Sequence, residues 1–146
     1  MPEVEALLLA NHAEAHDGLL YLMGAGWNNV RQRVIPGQPP PPFHFGLGLS
    51  VLVGWTETNR RHHIAVTLEP EDGGAPLMNL EADVEVGRPP GAVEGADQRS
   101  VLALAGEVMF PRAGGYRVVS RIGDHTRSVS FRVHYDAPPM MLQQPA

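Results

Sequence analysis

The sequence predicts an all-β chain folded as an antiparallel sandwich of seven to eight strands, and three observations carry that prediction. In FHFGLGLSVLVGW, residues 43–55, apolar side chains occupy every odd position from Phe43 to Trp55, a period of two that marks a long strand with one buried face. The same alternation returns at shorter length in Ile64, Val66 and Leu68, in Met78 to Val86, and in Val129, Phe131, Val133 and Tyr135. Between these runs stand PEDGGAP at 70–76, GRPPGAVEGAD at 87–97 and IGDHT at 122–126, turn-forming clusters that punctuate a β chain. No segment sustains a helical period.

Taken in order, the first strand is expected over 4–16, where LLLA is followed by HAEAH. Asp17-Gly18 then makes a tight turn into a second strand over 19–28. RQRVIPGQPPPP, 31–42, ends in four prolines that cannot donate ladder hydrogen bonds, so it reads as a Pro-rich loop running into the long strand at 43–56. Strands follow near 62–69, 77–86, 100–110, 115–122 and 127–135, the last two closing as a hairpin. A barrel is the alternative closure. Gly114-Gly115 before Tyr116 favours the sandwich, because it has the form of a corner at which a tyrosine hydroxyl ties an entering strand to upstream backbone. The domain is expected to span 1–135, with 136–146 a flexible tail.

A chain of 146 residues buries roughly two thirds of the surface its unfolded form exposes, so its core needs no staple. Cysteine is absent, which removes disulfides, thiolate metal sites and thiol nucleophiles and fits a reducing compartment. The N-terminal MPEVEALLLA carries two glutamates where a leader needs positive charge, and its apolar run is too short to span a bilayer, so a cytoplasmic protein without membrane contact is expected. A net charge of −5 argues against general nucleic-acid binding. The balance is uneven: nothing basic precedes Arg31, whereas Arg117, Arg121, Arg127 and Arg132 crowd a late segment that holds one acid, Asp124.

"NHAEAHDG", residues 11–18, raises the question of a metal, and His12, Glu14 and His16 are its candidate ligands. The helical zinc-protease signature needs Glu directly after the first His; here Ala13 stands there and Asp17-Gly18 stops any helix. In a strand the three share one face, with the two imidazoles about 13 Å apart at roughly 3.3 Å per residue, too far to share one ion. The favoured reading is a solvated or contact face of a hairpin whose alanines pack inward, and no cofactor is expected. His62 and His63 are adjacent and face opposite ways; His44 and His134 take outward parity, and His125 lies in a turn. Catalytic motifs are missing: there is no G-x-S-x-G elbow and no phosphate loop, and the alternating Glu81, Asp83 and Glu85 read as a solvent face. No catalytic residue is assigned.

Two surfaces are candidate interfaces. The even positions of the long strand, His44, Gly46, Gly48 and Ser50, leave a face nearly bare of side chains, on which the proline segment, another strand or a second subunit can lie flat. Arg117, Arg121 and Arg132 form a basic outward group, and the acidic row 81–85 is expected on the opposite sheet, so that unlike faces of two copies attract.

The apolar first strand, the Asp-Gly turn, the following L-Y-L-M-G-A-G-W and the late Pro-x-x-Gly-x-Tyr corner together resemble a family of small bacterial, actinobacterial proteins of unknown function. That resemblance spans most of residues 3–135 and implies an immunoglobulin-like β-sandwich; its motifs are structural and carry no catalytic residue. The expected function is a non-catalytic protein-interaction or assembly module, self-associating or an accessory subunit of a larger complex. The alternative is a His/carboxylate metal-binding protein with a hydrolytic or sensing role, and anion binding through the arginines ranks third.

Overall fold

In a computed structural model the chain is described over residues 1–137, all-β apart from one 3-10 turn at Trp55–Glu57. Ten strands run in order: β1 Glu3–Ala10, β2 His12–His16, β3 Leu19–Met23, β4 Asn29–Arg33, β5 Phe43–Val53, β6 Arg61–Pro70, β7 Met78–Glu85, β8 Gln98–Val108, β9 Gly114–Ile122 and β10 His125–Asp136. They form a three-stranded sheet β1-β5-β8, a five-stranded sheet β4-β10-β9-β6-β7, and the two-stranded β2-β3.

One hydrophobic cluster joins the two larger sheets. From the small sheet it takes Leu47, Leu49, Val51 and Val53, and from the large one Ile64, Val66, Leu68, Val118, Ile122, Phe131 and Val133. These are the alternate positions that the period-two pattern marks, because successive strand side chains point to opposite faces. At one end Phe110 and Tyr116 meet with ring centroids 4.8 Å apart, and Trp27 sets its edge against Phe43 and Phe131. The expected corner forms there: the Tyr116 hydroxyl donates to the Arg112 carbonyl oxygen at 2.6 Å.

Among the described residues there are ten strands, not seven or eight, for two reasons. The expected strand 4–16 breaks at Asn11, whose N–H bonds the Met23 and Gly24 carbonyls and so swings β2 out of the plane of β1. Part of the expected Pro-rich loop is β4, which pairs in parallel with β10, so the sandwich is not purely antiparallel. Val30 and Gln32 are buried there and Arg31 and Arg33 alternate outward, a period-two signal of only five residues. The second strand stops at Met23, where Gly24 takes φ 65°. The long strand stops at Val53, leaving Trp55 in the 3-10 turn beneath the Arg88 guanidinium, 3.9 Å from its ring centroid. Asp136, expected in the tail, is the last residue of β10; the tail's residues 138–146 lie outside the described residues.

β5 has both faces covered. Its inner face enters the core, and over its outer face lies β2-β3, which makes a third layer across β5 and β8. The two-residue loop Asp17-Gly18 has φ 52° and 74°, as a type I′ turn requires.

Candidate interaction surfaces

The glycines of β5 are the seat of that third layer. A Cβ placed on Gly46 would lie 2.6 Å from the Ala13 backbone nitrogen and 2.8 Å from the His12 carbonyl carbon; one on Gly48 would meet Leu22 and Leu20 at 2.6 and 2.9 Å. Only glycine lets the hairpin backbone come this close. The bare face expected as an interface is therefore filled by the chain's own hairpin, and Gly46 and Gly48 are not free to meet another molecule. Ser50 is 8 % exposed and donates to Glu5 Oε1 at 2.6 Å. That carboxylate also takes the Arg99 guanidinium, and Arg99 first and Ser50 second hold it below the ordinary carboxylate range. Of the expected group on this strand, His44 alone is open, with Nδ1 3.8 Å from Glu107 Oε2.

The hairpin's inner face is Ala13, Leu20 and Leu22; its outer face is the first candidate surface. On β2 the side chains of His12, Glu14 and His16 point away from the body, each imidazole Nε2 2.9 Å from a different oxygen of Glu14. Hydrogen bonds from His12 and then His16 hold the Glu14 carboxyl below its ordinary value. The rings thus clamp one carboxylate from both sides, and among the described residues no group of three His, Cys, Asp or Glu side chains is arranged to hold a metal ion. Across the ladder, His12 faces Met23, Glu14 faces Tyr21 and His16 faces Leu19. Leu19, Tyr21 and Met23 are 59 %, 51 % and 67 % exposed, and Tyr21 leans toward the His16 ring at 6.0 Å. A shallow, mainly apolar depression runs between Glu14, His16, Tyr21 and Met23. Sequence reasoning missed this apolar row. The signal was that LLYLM is apolar at both parities, so once Leu20 and Leu22 turn inward the other three must face out.

The second surface is the outer face of the five-stranded sheet. Register places Arg117 and Arg121 of β9 beside Glu69 and Ala65 of β6, and Ala65 in turn beside Glu81 of β7. Arg132 and His134 of β10 lie on this same face, next to Asn29 and Arg31 of β4. The expectation that basic and acidic groups sit on opposite sheets is overturned: β7 hydrogen-bonds into the sheet that holds β9 and β10, so Arg117, Arg121 and Arg132 share one face with Glu81, Asp83 and Glu85. Arg117 Nε bonds Glu69 Oε1 at 2.9 Å, Arg31 Nη1 bonds Asp136 Oδ1 at 3.0 Å, and Arg121 Nη1 donates to Thr67 Oγ1 at 3.1 Å. His63 lies between Asp83 at 3.1 Å and Glu81 at 3.5 Å, and those carboxylates, Asp83 first, raise its pKa. The remaining histidines are spent on the frame: His62 Nε2 on the Glu57 carbonyl at 2.8 Å, His134 Nε2 on Asn29 Oδ1 at 2.9 Å, and His125 Nδ1 accepting the Val4 N–H at 3.3 Å.

Residues 5–134 match the family of unknown function DUF6941. The chain belongs to this family. The match covers β1, apart from its first two residues, through most of β10, so the hairpin layer and both larger sheets fall inside the family's span. No curated protein and no solved structure matches the chain. Among the described residues no helix is long and apolar enough to cross a membrane.

Proposed function

We propose that this DUF6941 chain is a non-catalytic, cytoplasmic protein-contact module of a bacterial family with an immunoglobulin-like sandwich, working by self-association or as an accessory subunit of a larger complex. The observation that carries the reading is the outer face of the hairpin, where Leu19, Tyr21 and Met23 stand more than half exposed in one row on a layer that adds little to the core. A contiguous exposed apolar row rimmed by polar groups is the composition of a contact site, and Tyr and Met are enriched at interface centres. His12, Glu14 and His16 supply the polar rim.

The test is sedimentation equilibrium together with capture of stoichiometric partners from cognate lysate, for the wild type and for Tyr21→Ser with Met23→Ser. Association that the double variant loses, while its circular dichroism and urea midpoint hold, is the expected result. A wild type that stays monomeric at every concentration and retains nothing in stoichiometric amount overturns the reading. The His/carboxylate metal reading fits less well, since the Nε2 of each imidazole is engaged by a separate Glu14 oxygen and, among the described residues, no third ligand joins them. Elemental analysis of untagged protein, compared with His12→Ala plus His16→Ala, tests it.

A further inference from the structure

We propose that the free edge of β8 takes up an extended segment of a partner polypeptide, paired antiparallel as a fourth strand of the small sheet. The inference rests on the contact-module reading, for which it names the chemistry of the partner, and it uses a surface separate from the hairpin's outer face.

Of the four edges of the two larger sheets, three are closed. β1 carries a bulge between Val4 and Ala6; the Val4 N–H donates to His125 Nδ1 at 3.3 Å, and the Val4 carbonyl accepts from Arg127 Nε at 2.7 Å. β4 is five residues long, and β7 alternates Glu81, Asp83 and Glu85 along its outward face. Shortness, charge and bulges all guard an edge against an added strand. β8 has none of these guards. It is 11 residues long, pairs with β5 without a register break, and carries neither charge nor proline from Ser100 to Gly106. Among the described residues no strand pairs with its other edge and no loop backbone bonds to it. Such an edge presents a row of N–H and C=O groups ready to pair.

The packing beneath this edge is unfinished. A three-stranded sheet faces a five-stranded one, and β7 lies opposite β8, since a Cβ on Gly106 would meet Met78 Sδ at 2.9 Å. Met78, Leu80 and Ala82 of β7 and Leu102 and Leu104 of β8 point into the core but are only half-buried, whereas Leu47, Leu49 and Val51 on β5 are fully buried. A strand set about 4.8 Å beyond β8 would bring its own inward side chains over the half-buried ones. Above the edge the gap recurs. β2 starts over Gly46 of β5 and runs on across β8; its Ala15 faces inward as Ala13 does, yet is exposed, and so is Ala105 of β8. An added strand fills the space beneath the hairpin's end.

These surroundings define the segment. Opposite Leu102 and Leu104 it carries apolar side chains that complete the core, and opposite Val101, Ala103 and Ala105, on the hairpin side, it carries short ones. Charge sets its direction. Arg99 and Glu107 bracket the uncharged run and are 60 % and 58 % exposed. Glu107 lies 3.8 Å from His44, too far for a hydrogen bond, and is the main anchor; Arg99 spends Nε and Nη2 on Glu5 and offers Nη1. An antiparallel segment that begins with a base opposite Glu107 and ends with an acid opposite Arg99 answers both. A second copy fits this edge worse, because β8 paired with β8 would crowd two hairpins over one junction.

The probe is a capped peptide, Lys-Val-Thr-Val-Thr-Val-Thr-Val-Glu, added to isotope-labelled protein. Alternate amides within 99–107 should gain about tenfold or more in protection from hydrogen exchange at saturating peptide, and the Met78, Leu80 and Leu102 methyl signals should shift. The peptide of reversed sequence should bind about threefold more weakly. Glu107→Lys should weaken the probe by a similar factor, and a probe beginning with Glu in place of Lys should restore binding to that variant, which excludes loss of folding as the cause. Amides 99–107 that gain no protection at millimolar peptide, a Glu107→Lys variant that binds both probes alike, or an edge already protected in a wild-type dimer overturns the inference. Shifts confined to Leu19, Tyr21 and Met23, and abolished in Tyr21→Ser with Met23→Ser, refute the edge and leave the contact-module reading standing.

Discussion

The Tyr116 hydroxyl reaches back four residues to the Arg112 carbonyl oxygen at 2.6 Å, closing the corner through which the chain enters β9. The ring itself is 1 % exposed and stacks on Phe131, so burial raises the phenol pKa and the hydroxyl stays a donor. Tyr116→Phe keeps the packing and removes only the bond. A net loss of about 0.5–1.5 kcal/mol is expected, read as a lower urea midpoint with unchanged slope.

Gly46 and Gly48 both sit under the hairpin, yet they should respond differently to a methyl group. At Gly48 the obstacle is the tips of Leu20 and Leu22, which can rotate away; at Gly46 it is the Ala13 and His12 backbone, which cannot. Gly46→Ala is expected to cost about 1–3 kcal/mol by overpacking, and Gly48→Ala distinctly less. Hydrogen exchange at residues 12–23 is the second readout: Gly46→Ala should speed it while β6 and β9 amides keep their protection.

His63 gives a pH dependence whose sign follows from its neighbours. Asp83 and then Glu81 hold the imidazolium, so its pKa in the folded chain lies above the unfolded value. The stabilisation is complete below the unfolded pKa and disappears as pH rises through the folded one. NMR titration should show the His63 ring titrating above the ordinary value, and Asp83→Asn should move it down. A His63 ring that titrates at the same pH in both proteins contradicts this. The ring is exposed, so the effect belongs to the titration more than to global stability.

Arg88 covers Trp55 and fastens the turn after β5. Its guanidinium stacks 3.9 Å from the ring centroid, while Nε donates to Thr58 Oγ1 at 2.6 Å and Nη2 to the Trp55 carbonyl at 2.5 Å. Arg88→Ala should cost about 1 kcal/mol and change Trp55 emission. Arg88→Lys should recover little of either, because an ammonium lacks the planar fork that stacks and donates together.

Much of this was legible in the residues. The alternation in 127–135 and the odd positions 45–53 mark the side chains that enter the core, Asp17-Gly18 is the hairpin turn, and Gly114-Gly115-Tyr116 is the corner; the even face of β5, read as bare and open, is covered by the hairpin. β4 was not legible, because five residues beside a proline run carry too short a pattern, and its partner β10 lies about a hundred positions away. The candidate surfaces were half legible: His12, Glu14 and His16 share a face as expected, but the exposed Leu19, Tyr21 and Met23 became visible only once Leu20 and Leu22 were seen to turn inward.

By itself the sequence determined the local alternation: which side chains of β5, β6, β9 and β10 enter a core, and where the chain turns. A strand has only two faces, so parity is a local property. Beyond the two hairpins, β2-β3 and β9-β10, the tertiary structure decided which strands became neighbours. That choice laid the hairpin on Gly46 and Gly48 and brought β7 into the sheet of β9 and β10, placing the arginines and the carboxylates on one face. Strand order depends on contacts between segments far apart in the chain, and no local pattern encodes it.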